Sequence, residues 1–371
     1  MRRCVAFAGG GSGGHVFPAL AVETEIRKRW PGKTVWIGST AGMEREICSR
    51  HGVVYYGIPS GKLRRYFSLA NLTDLFRILV GFLCALLILS RVRPSLLFSK
   101  GGYVSVPPVV AAHLLGIPVF THESDFDPGL ATKINARFAE QILTSFAETQ
   151  EYLPHNLQAR VICTGNPVRE TLLTGDPSRG KRLVGCPADK DMLLVLGGSQ
   201  GAEMINHLVA EVLDELRQVC FVVHQMGKRN YQPLVLENYV AISFFGEELA
   251  HVLAASSLVV SRAGANWLSE LAALGKPSVL IPLAHAGSRG DQILNARVFG
   301  TAGAAEILEE ASATGPGLLE FVRSLIDNRE RLALMGKRAE SLNTKHSAQM
   351  IADLILTRIG HTAHARTACT N

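Results

Sequence analysis

The sequence predicts an α/β protein of two doubly wound, Rossmann-like domains facing a cleft. Three observations carry this reading. Residues 4 to 8 are an apolar stretch running into Gly9-Gly10-Gly11-Ser12-Gly13-Gly14, followed by helical spacing at Ala19, Leu20, Val22 and Ile26. The same arrangement returns near mid-chain, where Met192 to Leu196 leads into Gly197-Gly198-Ser199-Gln200-Gly201-Ala202 and then a helical pattern from Met204 to Val212. In both halves apolar strands alternate with helical stretches, the pattern of parallel sheets covered by helices.

A glycine turn between a strand and a helix lets a ligand approach the backbone. The first-turn N–H groups and the helix dipole there favour an anion such as a diphosphate. Gly9, Gly11 and Gly14 also match the dinucleotide spacing Gly-x-Gly-x-x-Gly. A nicotinamide or flavin site would want an acid at the end of the next strand, whereas Thr34-Val35-Trp36-Ile37 ends in Gly38-Ser39-Thr40.

The first half continues with a strand at 35–38, a helix over 43–50 and a strand at 53–58. A basic loop around Lys62, Arg64 and Arg65 then precedes an apolar run from Ile78 to Leu89. That run is shorter than the roughly 18 residues a transmembrane helix needs. With Arg77, Arg91 and Arg93 nearby, it suits a helix lying on an anionic membrane through Leu79, Phe82, Leu83 and Leu86, and it also suits a core helix covering the sheet. A strand at 94–98 leads to a further glycine turn, Lys100-Gly101-Gly102-Tyr103, and a strand at 117–121 ends in His122-Glu123-Ser124-Asp125. Polar residues at strand carboxyl ends lie where open α/β sheets place ligands. Strands at 141–144 and 160–163, with a helical pattern over 146–152, complete the first domain.

Thr164 to Arg169 reads as a linker, giving domains of 1–164 and 165–340. In the second, strands at 192–196, 219–223, 241–244, 257–261 and 278–282 alternate with helices. The helix from Ala265 follows Ser261-Arg262-Ala263-Gly264, so its first turn offers another anion site, with Glu270 further along. Helical patterns at 317–326, 329–344 and 347–359 follow, and 361–371 reads as a flexible tail.

At 371 residues, 47% hydrophobic and 19% charged, the chain suits two globular domains with full cores. Its net charge of +6 favours an anionic partner. Without an aromatic-basic RNA signature, lipid or phosphate fits better than nucleic acid. The seven cysteines are scattered with no Cys-x-x-Cys pair, reading as reduced core residues of a cytosolic protein with no metal site. A strand beginning at residue 4 leaves no space for a secretory signal.

Gly9 to Pro18, Gly101-Gly102-Tyr103-Val104-Ser105, Gly165 to Arg169, Gly197 to Ala202 and Ser261 to Ala265, in that order, resemble the MurG family of bacterial glycosyltransferases. The resemblance covers residues 1 to about 359. It implies the GT-B architecture, with a C-terminal helix at 341–360 returning to the first domain. It also implies inverting transfer of N-acetylglucosamine from UDP-GlcNAc to the C4 hydroxyl of undecaprenyl-diphosphate-linked MurNAc-peptide, converting lipid I to lipid II. The enzyme would act peripherally at the cytoplasmic face of the inner membrane, in peptidoglycan synthesis.

By that likeness Arg169 with Ser199, Gln200 and Gly201 meets the donor diphosphate and Glu270 takes the ribose. Backbone at Phe245 and Gly246 reads uracil, Asp291 and Gln292 contact the sugar, and Asn295 supports their helix. Ser12, Gly13, Gly14, Tyr103, Asp125 and Ala265 complete the candidate binding set. Turn amides, a helix N-terminus and Arg169 can stabilise a leaving diphosphate without a divalent ion, so no cofactor or metal is expected.

The acceptor hydroxyl needs a base. His15 has a suitable imidazole unless it only caps or packs, and His122, Glu123 and Asp125 are the other candidates. Ser124-Asp125 stands where many members carry Gln-Asn, and Asp291-Gln292 where some carry Gln-Gln. The rival readings are another GT-B enzyme acting on UDP-sugars, such as a glycolipid glycosyltransferase or a UDP-GlcNAc 2-epimerase, and a non-catalytic nucleotide-sugar-binding scaffold.

Overall fold

The computed structural model describes residues 4–61, 70–197, 202–284, 290–342 and 346–360. Chain contacts divide into two units, Met1–Pro167 with Lys345–Asn371, and Val168–Thr344. Each is built on a seven-stranded sheet.

The first sheet contains β1 (Cys4–Ala8), β2 (Lys33–Ser39), β3 (Val54–Ile58), β4 (Leu96–Ser99), β5 (Val119–Glu123), β6 (Gln141–Thr144) and β7 (Val161–Cys163). Their order is β3-β2-β1-β4-β5-β6-β7, and the paired strands run parallel. Side chains of a strand alternate between faces, and β1 shows the result. Val5 and Phe7 enter one core with Trp36, Phe98 and Ile351, while Cys4, Ala6 and Ala8 enter the other with Ala85, Leu89 and Val109. Phe7 stacks on Trp36 at 5.9 Å between ring centroids. The buried Trp36 indole N–H donates to the Gly9 carbonyl at 3.0 Å, anchoring the start of the glycine turn to the core.

The helix Ser347–Arg358 belongs to this first unit. It packs against the helix Gly13–Arg29 through Ile351, Ala352 and Ile355. Arg358 adds a two-point pair to Glu140, at 2.6 and 3.0 Å.

The second sheet contains β8 (Met192–Leu196), β9 (Phe221–Gln225), β10 (Val235–Leu236), β11 (Tyr239–Ile242), β12 (Leu258–Ser261), β13 (Ser278–Leu280) and β14 (Ala305–Ile307), in the order β10-β11-β9-β8-β12-β13-β14. Only the edge pair β10–β11 is antiparallel. The edge strands β10 and β14 escape the sequence reading, because β10 has only two residues and Glu306 sits at the centre of β14, so neither shows an apolar run.

A buried polar network crosses this unit. His224 receives the Tyr239 hydroxyl at Nδ1 (3.2 Å) and donates from Nε2 to Asn206 Oδ1 (2.9 Å). Burial lowers its pKa to about 4. The unfolded chain, with histidine near 6.5, therefore binds the extra proton first as pH falls. Stability from this site is full above about pH 6.5 and declines until about pH 4, by about 3 kcal/mol in total. Urea titrations at several pH values should show that decline, and a flatter one in His224→Gln.

The apolar run of the first half belongs to a longer helix, Ala70–Val92, of 23 residues. Within it Thr73–Val92 is long and apolar enough to cross a membrane by length and composition alone. That corrects the expectation of a run too short to span. The helix nevertheless connects β3 to β4, which share a sheet, and buries Ala85 and Leu89 in its core. A spanning helix would put those strands on opposite sides of a bilayer.

The described cysteines are free. Cys4, Cys48, Cys186 and Cys220 are buried as the sequence suggests, whereas Cys163 is exposed.

Candidate active site

In the first unit the chain leaves β1 toward β2 on one side, and β4 lies on the other. This is the switch point at which open α/β sheets bind ligands. The turns after β1 and β4 meet there. Gly11 has φ 85°, and a side chain on it would strike the Tyr103 ring, with Cε1 2.7 Å from the Cβ position. Gly102 has φ 77°, and its Cβ would lie 2.7 Å from the Gly10 carbonyl oxygen and 2.9 Å from His15 Cδ2. Glycine at both positions allows the two turns to touch.

Ser12 is the extended residue before the helix, and Gly13, Gly14 and His15 form its first turn. His15 Nδ1 lies 3.1 Å from the Lys100 carbonyl oxygen. A carbonyl only accepts, so Nδ1 carries the proton, and a neutral ring then holds its lone pair on Nε2.

The end of β5 sorts the remaining candidate bases. Glu123 accepts the backbone N–H groups of Ser124 (2.7 Å) and Asp125 (3.0 Å) at Oε1 and that of Gly129 (2.9 Å) at Oε2. Both oxygens engage the loop, so Glu123, one of the candidate bases, organises the backbone that carries Asp125. His122 is fully buried and donates from Nε2 to the Gly165 carbonyl at 2.9 Å. Burial, reinforced by the Lys100 charge, pushes its pKa well below the ordinary value, so the ring is a buried neutral donor. Asp125 is half-buried at the loop's start.

Sequence reasoning missed Glu44, which is fully buried beneath the first glycine turn. Its carboxylate accepts Ser39 N–H at 2.7 Å and Gly11 N–H at 3.4 Å. Cβ atoms on Gly10 or Gly42 would fall 2.2 Å from it. The acid absent from the end of β2 is therefore supplied by the following helix, Glu44–Arg50, and is spent on backbone. The polar composition of that helix gives no hint of the role.

In the second unit, β12 leads through Arg262 to Gly264 into the helix Ala265–Ala273. Ala265 is its first residue, and Glu270 lies a turn and a half in, 8% exposed. Arg169 donates to Glu270 from Nε (2.8 Å) and Nη2 (3.1 Å). Burial pushes the Glu270 carboxyl above its ordinary value, and the guanidinium pulls it back. The residues expected to meet diphosphate and ribose separately are thus joined in one bidentate pair.

Asn295, expected to support its own helix, also donates to the Ala263 carbonyl at 3.3 Å, bracing the turn before Ala265. Asp291 opens the helix Asp291–Thr301. Gln292 Oε1 accepts Leu283 N–H at 3.0 Å and so holds the strand exit. Phe245 N–H donates to Gln225 Oε1 (3.0 Å) and Gly246 N–H to Glu248 Oε2 (3.1 Å). Both N–H groups of the backbone expected to read uracil thus have internal acceptors in this structure. Ser199, Gln200, Gly201, Arg64 and Arg65 lie outside the described residues.

The sequence does contain the acidic spacing Asp-x-Asp, at Asp125-Phe126-Asp127 and Asp189-Lys190-Asp191. Asp127 pairs with Lys133 at 2.9 Å, and Asp191 accepts the Ser257 hydroxyl at 2.8 Å.

Two parallel α/β units define the class of two-domain proteins whose open sheets place ligands at strand carboxyl ends. Comparison with known proteins narrows this. Residues 5–144 match the glycosyltransferase family 28 N-terminal domain and 192–355 the glycosyltransferase family 28 C-terminal domain. The chain is 43% identical to the UDP-N-acetylglucosamine--N-acetylmuramyl-(pentapeptide) pyrophosphoryl-undecaprenol N-acetylglucosamine transferase of Treponema denticola, over 95% of this chain and 97% of the relative. It is 38% identical to the Clostridium tetani protein of the same name, over 96% and 98%. The crystal structure of Acinetobacter baumannii MurG superposes with a TM-score of 0.72 at 26% identity, covering 96% of this chain and 99% of that one. The chain belongs to glycosyltransferase family 28, and within it to the family of these transferases.

Proposed function

We propose that this protein transfers N-acetylglucosamine from UDP-GlcNAc to the muramoyl C4 hydroxyl of undecaprenyl-diphosphate-linked MurNAc-peptide, the lipid I to lipid II step of peptidoglycan synthesis. The observation that carries this is the 43% identity to the Treponema denticola transferase along nearly the whole of both chains. The acceptor oxygen bonds to the anomeric carbon as the bond to UDP breaks. The electron pair leaves on the β-phosphate, the hydroxyl proton passes to a base, and the single displacement inverts the anomeric centre. His15 takes the proton in this reading, its lone pair fixed on Nε2 by the Nδ1 bond to Lys100. Negative charge on departing UDP is met by helix N-terminal amides and Arg169, with no divalent ion required. Incubation with radiolabelled UDP-GlcNAc and a lipid I analogue in EDTA should place label in the lipid product. Label only in UDP-ManNAc, or donor bound without transfer, would overturn the reading.

The enzyme meets its lipid substrate from the membrane surface. Leu75, Leu79, Leu83 and Leu87 recur every four residues along the helix Ala70–Val92, each about half exposed, with Phe76 beside them. Of the apolar residues expected at the membrane, Leu79 and Leu83 lie on this stripe, while Phe82 and Leu86 pack partly against the core. Replacing Leu79, Leu83 and Leu87 by serine should weaken binding to anionic vesicles on the order of tenfold to a hundredfold. Donor affinity should stay unchanged, and an equal loss of both would mark the stripe as structural.

A further inference from the structure

Lys100 is an unusual residue to find inside a protein. It follows β4 directly, is 1% exposed, and ranks among the largest fully buried side chains of the chain. A lysine side chain moved out of water costs several kcal/mol unless its ammonium is partnered. Here Nζ donates to the Ser124 hydroxyl, and the Ser124 hydroxyl in turn lies 3.2 Å from Asn166 Oδ1. The carboxylates of Glu123 and Asp125 face it electrostatically and favour its charge, whereas burial lowers its pKa to about 8. The neighbouring His122 ring responds to that charge in the opposite sense.

The same residue reaches His15 with its main chain, since the Lys100 carbonyl accepts the His15 Nδ1 proton at 3.1 Å. Its own N–H donates to the Ala8 carbonyl at 3.0 Å, which fixes it to the strand entering the first glycine turn. We infer that Lys100 is a positioning residue that ties the Ser124-Asp125 corner to the turn carrying His15, holding the two proton-handling candidates in one register. The inference rests on the transferase reading for its kinetic consequence, but not for its structural one. Glu123 and Asp125 together supply the negative charge that the buried ammonium needs, and Ser124 between them is the joint that the ammonium grips.

The test is Lys100→Met, which keeps the length and removes the charge, alongside Asp125→Asn and the double variant. With a lipid I analogue as acceptor, K100M should raise the acceptor KM or lower kcat by tenfold or more and leave the UDP-GlcNAc Kd unchanged. The double variant should be less impaired than the product of the two single losses, since either single variant already removes the coupling between the ammonium and Asp125. The alkaline limb that Lys100 deprotonation gives the wild-type rate should be absent from K100M. A K100M rate within twofold of wild type across pH, or strictly multiplicative losses in the double variant, would overturn the inference. So would equal losses on the donor and acceptor sides.

Hydrogen exchange decides the structural half even for a chain that transfers nothing, an outcome that would sink the transferase reading alone. Peptides covering 9–16 and 122–130 should both exchange faster in K100M. Acceleration in neither, or in only one, overturns the bridge.

Discussion

His15→Ala lowers kcat by about 10² to 10⁴-fold while UDP-GlcNAc affinity stays where it was. This range is what a positioned general base contributes. The ring is half-buried in the first turn of the helix Gly13–Arg29, so truncation removes little packing and the fold survives. The Nδ1 bond to the Lys100 carbonyl is what makes the ring suitable, because it orients the imidazole and selects the tautomer together. Steady-state kinetics with saturating donor, together with a direct donor titration, separate the two effects. A normal rate in His15→Ala with a collapsed one in Asp125→Asn would transfer the role to Asp125. Glu123 does not inherit it, since its oxygens already hold three backbone amides.

Arg169→Met costs about 2–3 kcal/mol of stability in the second unit and abolishes donor binding. The guanidinium side chain keeps about a third of its exposure, and the Glu270 side chain 11%. Removing the arginine therefore strands a mostly buried carboxylate, at a cost that the remaining solvent contact moderates. Replacing both, as Arg169→Met with Glu270→Leu, removes the stranded charge and recovers most of the lost stability. Donor binding does not return in the double variant, because the groups proposed to meet diphosphate and ribose are both gone. Thermal melts with and without UDP read the two consequences apart. A double variant that regains UDP affinity would confine the pair to a structural role.

How much of this was legible beforehand depended on sequence separation. Strand β1, the glycine turn and the helix after it are contiguous, and alternation with helical spacing revealed them, as it did β6 at Gln141–Thr144. The helix Ala70–Val92 was truncated because its first turns carry Asn71, Thr73, Asp74 and Arg77, which interrupt the apolar run without breaking the helix. Glu44 was invisible because it acts on Gly11 across the space between two loops, and a glutamate in a short polar helix ordinarily faces water. Arg169 and Glu270 could each be singled out, but nothing in two distant stretches said that they bond to each other. Lys100 gives no such signal, since a lysine before a turn reads as exposed until the neighbouring strands are placed.

The first unit is interrupted: its chain stops at Pro167 and resumes at Lys345, with the whole second unit between. During synthesis the apolar flank of the helix Gly13–Arg29, including Val16, Leu20 and Val22, must wait for Ile351, Ala352 and Ile355 to emerge. At about 5–20 residues per second that delay is roughly 15–65 s. The second unit, a continuous segment, is complete before the first can close. A ribosome that stalls near residue 343 therefore releases one finished unit and one with an open, adhesive flank, a species for chaperones and proteases rather than a slower enzyme.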